Sequence, residues 1–212
     1  MVRGQPAEET LTGARAMLED GLYERFGRPD AVLAQHAAPL PAGMVAHGTP
    51  GAPLTAASTA LDVVVHGRGG HAGTPHLAVD PVVAAAAVIT RLQTIVSRES
   101  APADQLTLTV GTLRAGTAVN VVPDTAESGI GLRALTDASL DRALAAVERI
   151  VRAECAASAC PRQPGITVVS RAPALWGDPA ATRTVRAAHT GLYGSARVAD
   201  WPPSLASEDF PL

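Results

Sequence analysis

Residues 61–92, LDVVVHGRGGHAGTPHLAVDPVVAAAAVITRL, decide the fold. Leu61, Val63 and Val65 alternate with Asp62, Val64 and His66, which is the period of a strand with one buried face. The glycines from Gly67 to Gly73 then predict a turn. Asp80-Pro81 reads as a helix start, because a carboxylate caps free N–H groups and proline at the first helical position forfeits no intrahelical bond. The spacing of Val82, Ala86, Ile89, Leu92 and Val96 predicts the buried stripe of that helix. Downstream, Leu106, Leu108 and Val110 mark a second strand, and Ala126, Ser128, Ile130, Leu132 and Ala134 line one face of a third. Asp137 is expected to cap a second helix with Leu140, Leu144, Val147 and Val151 inward, and Ile166 and Val168 begin a fourth strand after Pro164-Gly165. Residues 59–171 thus read βαββαβ, a ferredoxin-like layer with two helices on one face of a sheet.

Outward from this module the pattern weakens. Leu11, Ala14, Leu18 and Leu22 predict one helix from Thr10 to Tyr23. Ala31 to Ala34 predicts a short buried strand with His36 at its end. The breakers between Pro39 and Pro53 predict loop with short edge strands. The flanks, 1–57 and 173–212, are each too short to bury a core, so they are expected to form one discontinuous domain into which residues 58–172 are inserted. The fold class expected is therefore α/β.

With 212 residues, 47% hydrophobic and 3% aromatic, the core must rest on many small aliphatic contacts. The net charge is -3. All 17 basic residues are arginine and they are scattered without a run, which gives no nucleic-acid footprint. No apolar run reaches membrane-span length, and the first residues lack a signal-peptide pattern, so a cytoplasmic protein is expected. Cys155 and Cys160 are expected to be buried free thiols.

Three groups carry chemistry. Glu8 and Glu9 are adjacent carboxylates before a helix, with His36 downstream. Glu9 and His36 suit a divalent metal while Glu8 serves as base for a water on that metal, although a Glu pair at a helix start also simply complements the helix dipole. His71 and His76 stand in the glycine-rich stretch, where an exposed imidazole can polarise a carbonyl oxygen. That stretch lacks the lysine and hydroxyl of a phosphate loop. Asn120 within Ala118-Val119-Asn120-Val121-Val122-Pro123, and Arg133 within a strand, are polar groups in apolar surroundings, read either as ligand-binding groups or as satisfied buried ones.

Five strings occur in one order: Gln5-Pro6-Ala7-Glu8-Glu9, His36 with its downstream prolines and glycine, Gly69-Gly70-His71 with Asp80-Pro81, Asn120-Val121-Val122-Pro123, and Ser207-Glu208-Asp209-Phe210. Together they resemble the zinc-peptidase-like amidohydrolase family of aminoacylases, hippurate hydrolases, auxin-conjugate hydrolases and carboxypeptidase G, over residues 3–212.

That resemblance implies a metal-dependent amidohydrolase that cleaves N-acyl amino acids or similar carboxylate-bearing amides by metal-activated water. It implies Glu8 as proton shuttle and Glu9 and His36 as ligands of a cluster of two zinc ions, or of manganese, cobalt or nickel. It implies a catalytic His71 that stabilises the oxyanion in a neighbouring subunit's site, and substrate-binding Asn120 and Arg133. The inserted ferredoxin-like domain would be a lid that makes the protein a homodimer. The family's remaining metal ligands lie upstream of the Glu pair and downstream of Ser207 to Phe210, so the resemblance also implies an incomplete catalytic domain, truncated at both ends. The competing expectation is a noncatalytic dimerising or binding module, or an inactive fragment of such an enzyme.

Overall fold

The computed structural model describes residues 4–211, apart from the Glu9 side chain. Contacts divide the chain into two units: residues 57–171, and the residues up to Ala56 together with those from Ala172 onward.

The first of these is a four-stranded sheet covered by two helices. Its strands are β2 (Ala57–His66), β4 (Thr107–Ala115), β6 (Thr125–Ala134) and β7 (Gly165–Ala172), ordered β4-β6-β2-β7. The helices are α3 (Pro81–Thr94) and α4 (Asp137–Ala157), and the chain order is the expected βαββαβ. Every second residue of β2 and β6 faces the helices, and the register pairs them as core layers: Thr59 with Leu132, Leu61 with Ile130, Val63 with Ser128 and Val65 with Ala126. Strict alternation is what a sheet needs when one face is buried. Short side chains, Ala84 and Ala85 on α3 and Ala143 and Ala146 on α4, are buried beside Leu92, Leu140 and Val147, so a core nearly free of aromatics still closes.

Several expectations need correction. The buried residues of α3 are Pro81, Ala84, Ala85, Val88 and Leu92, while Val82 is exposed. In a helix that is apolar nearly all round, composition does not set the phase; the sheet beneath it does. The cap of α4 is Thr136, whose Oγ1 accepts from the Ser139 N–H at 3.2 Å, and Asp137 is the first helical residue. The fourth strand lies where expected, as β7 at the sheet edge, with Val168 and Val169 exposed. The glycine-rich stretch is not only a turn, because Gly70–His71 (β3) pairs with Val121–Val122 (β5). Gly67 is needed there for close approach, as a Cβ would lie 2.4 Å from the Val79 carbonyl oxygen. Cys155 is buried, but Cys160 only half so.

In the other unit, β1 (Val45–Gly48) pairs in parallel with β8 (Val198–Trp201), and α5 (Pro179–Tyr193) packs on both. Asp178 caps α5 by accepting from the Ala181 N–H at 2.7 Å. His47 on β1 and His189 on α5 stand 3.1 Å apart, nitrogen to nitrogen. The predicted helix from Thr10 to Tyr23 is broken into α1 (Gly13–Glu19) and α2 (Leu22–Phe26), with Gly21 in the left-handed region between them. Residues 31–34 form no strand and are exposed, for no described strand pairs with them. An apolar run becomes a buried strand only where neighbours offer hydrogen bonds and cover. Among the described residues no helix is long and apolar enough to cross a membrane.

Candidate metal and amide-hydrolysis site

Glu8 lies on a single 3-10 turn, Glu8–Thr10, held between two non-glycine residues in the left-handed region, Ala7 at φ 54° and Leu11 at φ 55°. Such backbone is unfavourable unless its surroundings impose it. Here Gly13 does so: a Cβ on it would fall 1.6 Å from the Pro6 carbonyl oxygen, so the chain before Glu8 folds directly over the start of α1.

The C-terminal segment arrives from the other side. Ser204 N–H donates to the Leu54 carbonyl at 3.1 Å and Ala56 N–H to the Ala206 carbonyl at 2.9 Å, which lace this segment to the end of the N-terminal stretch. Asp209, completely buried, accepts from the Ala14 N–H at 2.8 Å and from the Gln5 side-chain amide. It therefore caps the first turn of α1 across almost the whole sequence. Removing it would strand the half-buried Ala14 N–H and the Gln5 amide. Asp209→Ala is expected to destabilise this unit by about 2 kcal/mol, as a hydrogen-bonded charged partner usually does, and urea denaturation followed by hydrogen exchange at α1 checks it.

With Asp209 fixed, the neighbouring Glu208 carboxyl meets Glu8 and His36. The His36 Nε2 lies 4.0 Å from Glu208 Oε1. Its Nδ1 is 2.6 Å from the Ala37 carbonyl and so donates to it, which in a neutral ring puts the lone pair on Nε2. Glu208 is held above its usual carboxylate range, first by burial and then by Glu8, with which it shares a hydrogen bond; His36 pulls the other way. Two carboxyl groups this close resist being charged together unless a cation sits with them. Glu208 and Asp209 lie in the acidic string Ser207 to Phe210, but no role for them could be read from sequence; the missing signal was the lacing that brings this segment back to Glu8.

Glu9, an expected ligand, has its side chain outside the described residues. Among the described residues no group of three or more His, Cys, Asp and Glu side chains is gathered to hold a metal ion.

The expected substrate groups lie in the sheet unit. His71 and Asn120 are neighbours, because β3 pairs with β5 and the Ala72 N–H donates to the Asn120 carbonyl at 3.0 Å. The Gly73 N–H donates to His71 Nδ1 at 3.0 Å, which leaves the neutral ring protonated on Nε2, a hydrogen-bond donor. Asn120 and Arg133 are both exposed, which corrects the reading of either as a satisfied buried group. Arg133 stands on β6 opposite Ser58 and Thr107, away from the helices. It does not join the other two: from Thr125, near Asn120, eight strand residues at about 3.3 Å each carry it roughly 26 Å along the sheet. His76 sits in a short 3-10 turn, Pro75–Leu77.

A family model described as a peptidase dimerisation domain matches residues 56–159. The chain is 41% identical over 149 residues to an N-acetyldiaminopimelate deacetylase of Bacillus subtilis, a match covering 70% of this chain and 39% of that protein. It is 42% identical over 131 residues to a hippurate hydrolase of Campylobacter jejuni, covering 62% of this chain and 34% of that protein. Among solved structures, one described as an aminohydrolase from methicillin-resistant Staphylococcus aureus superposes with a TM-score of 0.76 at 28% identity, over 97% of this chain and 52% of that one. A Bacillus subtilis protein described as a dinuclear metal-binding peptidase of the M20 family superposes with a TM-score of 0.68 at 24% identity, over 97% and 50%. The matched region thus spans between about a third and a half of each relative. Residues 56–159 belong to the peptidase dimerisation domain of the M20 family.

Proposed function

We propose that this chain takes part in metal-dependent hydrolysis of the amide bond of an N-acyl amino acid or a similar carboxylate-bearing amide. The observation that carries the reading is the meeting of Glu8, Glu208 and His36 from three separate stretches of sequence. The relatives named above, a deacetylase of an N-acetyl amino acid and a hippurate hydrolase, support the substrate class.

Imidazole and carboxylate donors, with the second ring nitrogen tied to a carbonyl, are the set that zinc-like cations take. Glu9 and His36 are the proposed ligands, and a pair of zinc, manganese, cobalt or nickel ions is the proposed complement. A cation bound there supplies Lewis-acid polarisation of the scissile carbonyl and acidifies water. Glu8 takes a proton from the attacking water and returns it to the leaving nitrogen. His71 donates its Nε2–H to the carbonyl oxygen as that atom gains charge, acting in a partner subunit's site. Asn120, next to His71, holds the substrate carbonyl in that same partner site, and Arg133, too far along the sheet to reach that substrate, serves a carboxylate in the site of its own subunit, its planar fork donating two parallel hydrogen bonds.

In this reading residues 57–171 are an inserted lid through which two copies dimerise, for which the dimerisation-domain match is the support. A cytoplasmic setting belongs to this reading too. The match of residues 56–159 to a dimerisation domain also fits a second reading, a noncatalytic dimerising module.

An assay separates them. Release of free amine from N-acetyl and N-benzoyl amino acids, with zinc or manganese added, is expected under the first reading. No release above buffer with any of these substrates contradicts it and leaves the second.

A further inference from the structure

The end of α4 brings the chain's two cysteines together. The Cys160 N–H donates to the Cys155 carbonyl and the Ala159 N–H to the Ala156 carbonyl, each at 3.0 Å, and Ala159 lies in the left-handed region at φ 54°. These are the paired bonds of a Schellman cap, a geometry that sets the side chain in the last helical turn against the one five residues on, just past the cap, usually as an apolar contact. Here both positions are thiols, so the cap sets the two sulfur-bearing side chains against each other. Pro161 follows directly and stops the helix from continuing.

We infer that Cys155 and Cys160 form an oxidisable dithiol site that takes a hydroperoxide as its reactant and closes to an intramolecular disulfide. Neither residue belongs to the amide-hydrolysis site, so the inference stands apart from the proposed function. Cys160 is half-buried and meets solvent, whereas Cys155 is only 2% exposed. The Cys160 thiolate attacks one oxygen of the hydroperoxide, the O–O bond breaks, and a sulfenic acid and an alcohol or water result. The Cys155 sulfur then attacks the Cys160 sulfur; the S–S bond forms, the S–O bond breaks, and the hydroxyl leaves as water with the Cys155 proton. Two thiols have lost two electrons and the hydroperoxide has gained them. Burial, then the charge and hydrogen bond of Cys160 and the charge of Glu154, push Cys155 up to about 12. It therefore remains a thiol and reacts second, once an electrophilic sulfur stands beside it.

The sequence makes the test direct, because cleavage after Arg152 and Arg162 releases both cysteines in one peptide, Ala153–Arg162. The folded full chain is treated with dilute hydrogen peroxide, alkylated, digested and weighed. The expected product is that peptide two hydrogens lighter and unalkylated, restored by dithiothreitol. Cys155→Ser is expected to leave a sulfenic acid on Cys160 that dimedone traps, and Cys160→Ser to leave Cys155 unmodified while folded. Recovery of both cysteines alkylated, over-oxidation of Cys160 beside an alkylatable Cys155, or disulfide-linked dimers as the main product would each overturn the inference.

Discussion

Glu8→Gln is expected to lower amide hydrolysis by about 10²–10⁴-fold with little change in KM, the usual loss when a positioned proton carrier is removed. Gln has the shape of Glu and can still hydrogen-bond to Glu208, so the strained turn between Ala7 and Leu11 should persist. What disappears is the ability to accept a proton from water and give it to the departing nitrogen. Rate and zinc affinity must be measured on the same variant. A fall in affinity as large as the fall in rate would make Glu8 a ligand instead, and an unchanged rate would remove it from the chemistry altogether.

Leu132→Ala is the stability prediction of comparable size. Leu132 is wholly buried on β6, across from Thr59 on β2 and Leu108 on β4 and beneath the helices. Truncating it removes apolar contact and leaves a cavity that a β-sheet backbone cannot collapse to fill, for an expected loss of about 2–5 kcal/mol. That is a large part of a typical domain's stability of about 5–15 kcal/mol. Urea denaturation should show a lower midpoint at unchanged slope. Val169→Ala on the exposed edge strand β7 is the control, expected to stay within about 0.5 kcal/mol. Equal effects from the two would mean that the layer of β2 and β6 residues is not the core of this unit.

The sheet unit was legible in sequence because a half-buried strand leaves an unambiguous imprint: Ala126, Ser128, Ile130, Leu132 and Ala134 are all buried and their intervening neighbours are not. The same reasoning loses power where everything is apolar. Val82 to Ile89 announces a helix without announcing which side faces the sheet, and the phase read from sequence was displaced by a residue or two. The flanking unit shows the opposite weakness. Asp178-Pro179 repeats the helix-start signal of Asp80-Pro81, yet α5 was not anticipated, because none of its residues is fully buried and its stripe is faint. The run Ala31 to Ala34 has strand-like composition but no pairing partner, and composition alone does not supply one.

The site was legible in types and not in arrangement. Glu8 and His36 could be nominated from their chemistry, but their meeting depends on Glu208, whose position is set by backbone bonds from Ser204 to Leu54 and from Ala56 to Ala206. His71 and Asn120, 49 positions apart, become neighbours through the two-residue pairing of β3 with β5, a contact too short to leave a periodic trace. Arg133 sits on a strand whose inward pattern was read correctly. Its outward direction follows from Leu132 and Ala134 facing in, as successive side chains on a strand alternate.

The central claim is that a divalent cation binds beside Glu8 through His36, and calorimetric titration of zinc or manganese tests it most directly. The full chain is compared with His36→Ala, and with Val169→Ala as a surface control. The account predicts saturable binding that weakens at least about tenfold in His36→Ala, as loss of a ligand or its supporting contacts does, and is unchanged in the control. Equal binding by all three proteins, or no binding by any, would contradict it.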